Sequence, residues 1–211
     1  MKNLIKNKLR EGLLGVSEEL NTSFSAFHGS PTKINSFVDD FVGGKDATDQ
    51  SGPGIYFTTN KDEAYRYAEN GYIYSVEINT GKFLESKEQS ESYLRRYEDD
   101  VRKLIMMAPD WEMDAQNWSE DPQTGLDMMV DGFIKYNTNE KDVFLQVWID
   151  VYRGIEVQYV RNMVKLGYSG VFVPSEEISN MFIENAGNHV IVYNPSIIKF
   201  IKVEKADEKS N

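Results

Sequence analysis

Two tyrosines that follow a glycine-rich turn are the first candidates for chemistry. Tyr56 comes directly after the sequence SGPGI, and Tyr67 lies in the next segment, NKDEAYRYAENG. Glycines at positions 52 and 54 would let another molecule approach the backbone closely. If both rings face one slot, they can sandwich a flat heterocycle. The alternative is that both tyrosines are ordinary core aromatics.

The two histidines of the chain are the next candidates. His28 and Gly29 end the segment FSAFHG, and His189 begins the segment HVIVY. An imidazole can hydrogen-bond a hydroxyl group or act as a base near neutral pH. Each histidine can equally be a hydrogen-bonded core residue.

Strands and one helix are predicted to position these residues. Apolar and alternating segments predict strands, and the spacing of NKDEAYRYAENG predicts a helix that ends at Gly71. The predicted strands are FSAFHG, GIYFTT, YIYSVEIN, YSGVFVP and HVIVYNPSIIKFIKVE. Residues 1–20 predict an amphipathic helix, and residues 33–44 predict a short helix or turn.

The interval 86–165 has a different, mainly helical character. SESYLRRYEDDVRKLIMM predicts one helix, and helical spacing resumes from FLQVW up to Gly167. The polar stretch APDWEMDAQNWSEDPQTGLDMM between them predicts a loop with broken helices. We therefore expect a single α+β domain over 1–211, with a helical insertion at 86–165.

Composition excludes several classes of protein. The net charge of -11, from 34 acidic and 23 basic residues, makes nucleic acid an unfavourable partner. The absence of cysteine excludes disulfides and a cysteine nucleophile, and it favours an intracellular, cytoplasmic location. No apolar run has the length of a membrane span, and no spacing of histidine and acidic residues predicts a metal site.

Four motifs together resemble the diphtheria-toxin-like and poly(ADP-ribose)-polymerase-like ADP-ribosyltransferases. They are His28-Gly29-Ser30, Gly54-Ile55-Tyr56-Phe57, Ala64 to Tyr67, and Asn188-His189-Val190-Ile191-Val192-Tyr193. The closing NPSIIK is similar to the ADP-ribosyltransferase domains of polyvalent proteins from phages and mobile elements. The resemblance leaves out residues 1–20 and 86–165. It implies an ADP-ribosyltransferase-like fold with a split β-sheet.

The resemblance also implies a role for each motif residue. His28 would hydrogen-bond the adenosine ribose of NAD+, while the backbone of Gly29 and the hydroxyl of Ser30 would hold the nicotinamide end. Tyr56 would stack on the nicotinamide ring, and Tyr67 would close the sandwich from the other side. The implied reaction cleaves the nicotinamide–ribose bond of NAD+ and transfers ADP-ribose to a macromolecular acceptor, for which we expect a protein.

One position departs from the pattern of the family. The usual catalytic glutamate aligns with His189, and a neutral imidazole brings no negative charge to the positive charge that develops on the ribose. Glu184, in the loop before this strand, can supply a carboxylate if the loop folds over the site; the alternative, for it and for the two glutamates named next, is a solvated loop charge. Glu176 and Glu177 are more distant candidates. The departure implies mono-transfer or slow turnover rather than chain elongation.

The sequence therefore predicts an NAD+-dependent mono-ADP-ribosyltransferase that uses no metal. If it is phage-encoded, we expect it to act inside the host cell. One alternative is a catalytically weak or inactive domain that binds NAD+ or a partner. Another is a structural or injected component of a phage. Turnover of NAD+ separates the enzyme from both alternatives.

Overall fold

The computed structural model describes residues 23–38, 52–79, 81–179 and 186–206. The helix predicted at 1–20 and the candidate Glu184 lie outside these residues. Within the segment predicted as a short helix or turn, the described residues 33–38 form bends and no helix.

Strands and helices are mixed along the described chain, which has an α+β fold with one split sheet, as predicted. The strands are β1 (Phe24–Ser30), β2 (Ile55–Thr58), β3 (Tyr72–Ile78), β4 (Lys82–Glu85), β5 (Tyr168–Val173), β6 (His189–Val192) and β7 (Ile198–Lys205). The α-helices are α1 (Lys61–Ala68), α2 (Glu91–Leu94), α3 (Glu98–Met106), α4 (Trp111–Gln116), α5 (Pro122–Tyr136), α6 (Glu140–Val147), α7 (Glu156–Lys165) and α8 (Ser175–Ser179). Two 3-10 turns (Arg95–Tyr97 and Pro195–Ile197) and one π-helical turn (Trp148–Tyr152) complete the described elements.

The seven strands form one sheet in the order β4-β5-β6-β2-β1-β3-β7. Neighbouring strands are antiparallel except β4 and β5, which are parallel. Parallel neighbours need a crossover connection, and helices α2 to α7 provide it here. The sequence did not predict β4, so this role of the helical interval was also not predicted.

Helix α1 crosses one face of the sheet directly after β2. The side chain of Asn60 accepts a hydrogen bond from a backbone N–H of the first turn and so caps the helix. The helix ends at Ala68 because Glu69 and Asn70 have left-handed backbone conformations, with φ of 46° and 66°. The prediction that Gly71 stops this helix was therefore wrong by a few residues.

Two predictions for the interval 86–165 were wrong in detail. The single helix predicted at its start is interrupted by a 3-10 turn between α2 and α3. The stretch predicted as a loop with broken helices contains the short helix α4, as predicted, but also the first part of α5, which is long and continuous. Helix α5 begins there because Asp121 accepts a hydrogen bond from the N–H of Thr124 (2.8 Å) and because Pro122 suits the first helical position.

The helical interval and the sheet share one hydrophobic core. The ring of Phe144 in α6 lies 5.0 Å from that of Tyr168 in β5. The ring of Tyr159 in α7 lies 6.1 Å from that of Tyr193, which follows β6. Because these contacts join helices to central strands, the interval forms part of the core that supports the sheet.

Candidate active site

The sheet opens between β1 and β2. These strands pair at one position, Phe27 opposite Thr58. By contrast, β1 pairs with β3 along its whole length, and β2 pairs with β6 from Ile55 to Thr58. Gly29 and Tyr56 therefore lie on opposite sides of an opening in the sheet, which we call the β1–β2 opening.

The imidazole of His28 spans this opening. Its Nδ1 lies 2.8 Å from the carbonyl oxygen of Tyr56. A carbonyl only accepts, so Nδ1–H donates, and Nε2 of the neutral ring is left as an acceptor. The ring packs against Phe37 and Phe57, with centroids 5.3 and 5.7 Å away. Burial lowers the pKa of His28 below its ordinary value of 6.5, although the bond to Tyr56 works in the opposite direction.

The lowered pKa predicts that the protein loses stability on mild acidification. Below pH 6.5 the unfolded chain binds a proton at His28 that the folded chain does not yet bind, so the free energy of unfolding falls as the pH decreases. The loss cannot exceed about 1.4 kcal/mol per pH unit. Urea denaturation between pH 7.5 and 5.5 measures it. His28→Asn should flatten the slope, and equal slopes in both proteins would contradict the prediction.

Gly29 allows α1 to lie directly on β1. A Cβ atom at Gly29 would be 2.0 Å from the carbonyl oxygen of Ala64 and 2.9 Å from the backbone nitrogen of Ala68. Ser30, the next residue, is buried, and its Oγ accepts a hydrogen bond from the N–H of Thr32 at 3.3 Å. The backbone of β1 and the helix α1 are thus held together at the edge of the opening.

The glycines before Tyr56 serve the protein's own packing. A Cβ atom at Gly54 would lie 2.2 Å from Cγ2 of Ile191, and one at Gly52 would lie 3.1 Å from Cδ1 of Leu145. The hydroxyl of Tyr56 donates a hydrogen bond to the carbonyl oxygen of Gly52. Close approach at both glycines is therefore made by neighbouring side chains, in contrast to the predicted approach of another molecule.

Tyr67 lies on the edge of α1 that faces β2. Tyr65, on the other edge, reaches Glu204 of β7 (3.3 Å), whereas Glu63 reaches Thr58 of β2 (2.6 Å). Tyr67 follows Glu63 by one helical turn and shares its edge. The residue is 52% exposed, and partial burial and the charge of Glu63 raise its pKa. In β2 the side chains of Tyr56 and Thr58 share a face, because they are two residues apart.

His189 meets a buried carboxylate that the sequence did not identify. It is the first residue of β6 and lies opposite Thr58 in the register with β2. Its Nε2 is 2.5 Å from Oε1 of Glu63, while Oε2 of Glu63 accepts hydrogen bonds from the hydroxyl of Thr58 (2.6 Å) and the N–H of Gly187 (3.0 Å). Glu63 is 2% exposed. The side chains of His189, Glu63 and Thr58 are therefore connected by hydrogen bonds.

Hydrogen bonding keeps Glu63 ionised in spite of its burial. Burial acts to raise its pKa, but the bonds from His189, Thr58 and the N–H of Gly187 outweigh burial and bring the pKa below its ordinary value of 4.5. A signal for Glu63 did exist in the sequence, since it precedes Tyr67 by four residues in a predicted helix and so shares its face.

The other candidate carboxylates are placed differently. Glu184 lies outside the described residues, and Glu176 and Glu177 are exposed in the first turn of α8. Within the described ranges, no three histidine, aspartate or glutamate side chains converge as ligands for a metal ion. None of the helices in the described part of the chain is long and apolar enough to cross a membrane.

Comparison with known proteins identifies the family of this chain. Neither a curated protein nor a solved structure matches it significantly. The family described as ADP-Ribosyltransferase in polyvalent proteins matches residues 23–208. This match includes the helical interval 86–165, which the resemblance of the short motifs had left out. Because it covers most of the sequence, the chain belongs to the family of ADP-ribosyltransferases found in polyvalent proteins.

Proposed function

We propose that this protein is a mono-ADP-ribosyltransferase that takes ADP-ribose from NAD+, releases nicotinamide and modifies a protein acceptor. The observation that carries the proposal is the β1–β2 opening, spanned by the bond between His28 and the carbonyl of Tyr56 and bordered by Tyr67. Family membership supports the transferase activity. The single transfer is inferred from the residues around the opening, and the protein acceptor from the exposed side chains of the helical interval and the net charge.

NAD+ fits the chemistry of these residues as a substrate. The Nε2 of His28 is left to accept a hydrogen bond, as a ribose hydroxyl would donate. The half-exposed ring of Tyr67 and the partly buried ring of Tyr56 offer aromatic surface for the flat nicotinamide ring. At Gly29 the edge of β1 is not paired with β2, so its backbone groups can bond to a carboxamide in the opening.

Single transfer follows from the position of His189. Chain elongation in related enzymes depends on the glutamate that aligns with this position. Here an imidazole bonded to Glu63 takes its place, so this position offers no exposed carboxylate among the described residues to bind the hydroxyl of a growing ADP-ribose chain. We therefore propose one transfer for each acceptor site.

The helical interval is proposed to select the acceptor. It carries exposed apolar side chains, among them Tyr136 (78% exposed) and Met113 (63% exposed). The net charge of -11 favours an acceptor with a basic surface.

Incubation of the protein with NAD+ and a cell lysate is expected to produce an ADP-ribose adduct that mass spectrometry detects on a lysate protein. Tyr56→Ala and Tyr67→Ala should each weaken the binding of NAD+ about fivefold or more, because a stacking face worth about 1 kcal/mol is lost. Calorimetric titration measures the binding. Tyr65→Ala is the matched control, because Tyr65 lies on the opposite edge of α1 and bonds to Glu204.

The outcomes separate the enzyme from its alternatives. Binding of NAD+ without an adduct and without release of nicotinamide would indicate a catalytically inactive binding domain. Absence of NAD+ binding by the intact protein would contradict the proposed function altogether. A partner complex that survives Tyr56→Ala would favour a role in binding.

A further inference from the structure

We propose that Glu63 acts through His189 as the negative charge of this site, orienting the imidazole and balancing the charge that it gains on accepting a proton from the attacking nucleophile. The inference rests on the proposed function. It assigns a positioning role to Glu63 and the role of general base to His189. It also replaces the expectation that the histidine brings no negative charge to the ribose.

The geometry fixes the orientation of the imidazole. An ionised carboxylate only accepts hydrogen bonds, so the contact of 2.5 Å between Nε2 of His189 and Oε1 of Glu63 requires a proton on Nε2. In the neutral ring, Nδ1 is then the acceptor. A base oriented by a third group in this way is the arrangement that activates nucleophiles in many enzymes.

The carboxylate is held in place and kept charged. Its second oxygen, Oε2, accepts bonds from the hydroxyl of Thr58 and the N–H of Gly187, at 2.6 and 3.0 Å. These bonds satisfy a group that is 2% exposed, whereas an isolated charge at this depth would be costly. With the side chain of His189 19% exposed, the pair has a buried end at Glu63 and an accessible end at the imidazole.

The pair lies beside the β1–β2 opening. His189 is opposite Thr58 in the register of β6 and β2, so their side chains are on one face. Tyr56 shares that face two residues away, and Tyr67 follows Glu63 by one turn of α1. The imidazole is therefore on the side of the sheet where the aromatic rings would hold the nicotinamide.

The proposed step breaks one bond and forms another at C1′ of the ribose. The bond between C1′ of the ribose and the nicotinamide nitrogen breaks, and its electron pair neutralises the positive ring of the departing nicotinamide. A lone pair of the acceptor or of water forms the new bond to C1′. The proton of this nucleophile moves to Nδ1 of His189, and the imidazolium is paired with the carboxylate of Glu63 until it releases the proton to solvent.

Among the described residues, α1 and α8 carry titratable groups beside the pair. Tyr67 lies one turn from Glu63 on α1, and the charge of Glu63 affects its titration. On the neighbouring side, the helix α8 begins beside Asn188, whose side chain bonds to the N–H of Ser175, and it carries the exposed Glu176 and Glu177.

Nuclear magnetic resonance tests the arrangement without requiring activity. The chain has two histidines, so long-range ¹H–¹⁵N correlation of the ¹⁵N-histidine-labelled protein, with His28→Asn for assignment, identifies each ring. We expect His189 to carry its proton on Nε2, and Glu63→Gln to change this tautomer balance. A proton on Nδ1 of His189 in the wild-type protein would overturn the proposal.

Kinetics test the catalytic role through the release of nicotinamide from NAD+, with water as the acceptor. Glu63→Gln should lower kcat at least about tenfold with little change in KM, and it should change the pH–rate profile. Asp62→Asn, an exposed neighbour on the same helix, is the charge-matched control and should change neither. Because Glu63 acts through His189, adding Glu63→Gln to His189→Gln should lower kcat no further.

The outcomes are distinguishable. If the wild-type protein releases nicotinamide and Glu63→Gln has the same kcat and pH profile, this inference is overturned and the proposed function stays intact. A further loss when Glu63→Gln is added to His189→Gln overturns it as well. A wild-type protein that releases no nicotinamide overturns the proposed function and the catalytic role together. If Glu63→Gln does not fold, Glu63→Asp, which withdraws the carboxylate from the imidazole, replaces it in the cycle with the same expected loss.

Discussion

Gly29→Ala is expected to destabilise the protein by at least about 3 kcal/mol, near the upper end of the usual cost of overpacking. The added Cβ atom would lie 2.0 Å from the carbonyl oxygen of Ala64 and 2.9 Å from the backbone nitrogen of Ala68. Both are backbone atoms of α1, so no side chain can rotate away to make room. The helix must move off β1, and thermal unfolding should show a fall in Tm of about 6–12 °C for a chain of this size.

Gly167→Ala is the matched control for this prediction. Gly167 has a φ of +90° with nothing within 4 Å of the added Cβ, so its substitution costs backbone strain without a steric contact. That strain is worth about 1–2 kcal/mol. Gly29 has the opposite properties, since its cost comes from contact alone. If Gly29→Ala is no more destabilising than Gly167→Ala, then α1 is not packed on β1 as closely as described.

Gly29→Ala should also impair the candidate active site. Helix α1 carries Glu63 and Tyr67, and its distance from the sheet sets the contact of Glu63 with Thr58 and His189. A displaced helix would therefore weaken NAD+ binding and turnover even in the fraction of Gly29→Ala that remains folded. This link between packing and function explains why a glycine follows His28 at the end of β1.

Local patterns in the sequence were sufficient for the strands and the helix around the opening. The apolar segments FSAFHG and GIYFTT and the alternation in YIYSVEIN are signals that depend on nearby residues only. They correctly placed His28 and Gly29 at the end of β1 and Tyr56 in β2. Helix α5 also had a local signal in Asp121 and Pro122, but the polar composition around it favoured a loop.

Contacts between residues far apart in the sequence could not be predicted from such local patterns. The pair of Glu63 and His189 depends on the register of β2 with β6, in which Thr58 is opposite His189. The short β4 is stabilised by parallel pairing with β5, from Lys82 to Glu85, and its four residues carry no strong strand signal. In both cases the stabilising energy comes from a partner residue or strand that is distant in the sequence. A local sequence pattern does not contain that partner.

Deletion of the helical interval is the second change for which we expect a large effect, here on folding. A variant that lacks residues 86–165, with β4 joined to the segment before β5 by a Gly-Ser linker, should not fold cooperatively. Because β4 and β5 are parallel, the linker must run back along the strands, a span of about 13 Å that about twelve flexible residues can cover. A loss of folding would therefore not be due to a connection that is too short.

The reason for the loss is that central strands bury their side chains against these helices. Tyr168 of β5 contacts Phe144 and donates a hydrogen bond to Asp100 (2.7 Å). The buried Glu140 of α6 accepts hydrogen bonds from the N–H of Glu85 at the end of β4 (3.1 Å) and from a tyrosine hydroxyl of α2. Each large apolar side chain that becomes exposed costs about 1.5–3 kcal/mol, and a domain has only about 5–15 kcal/mol in total. A few such losses are sufficient to unfold the sheet.

Circular dichroism and urea denaturation of the deletion variant test this expectation, and a cooperative transition would show that the sheet folds without the helices.

The proposed selection of the acceptor is tested by substitutions of exposed residues that leave the fold intact. Tyr136→Ser and Met113→Ser alter exposed positions of the same interval, with 78% and 63% of the side chains accessible, so folding and NAD+ binding should remain. Adduct formation on the lysate acceptor should fall in these two variants while the release of nicotinamide to water is unchanged. Both variants keep the core contacts of the helical interval. A fall confined to the acceptor reaction therefore assigns acceptor recognition to the surface of the interval. An unchanged acceptor reaction would leave the interval with its role in the core alone.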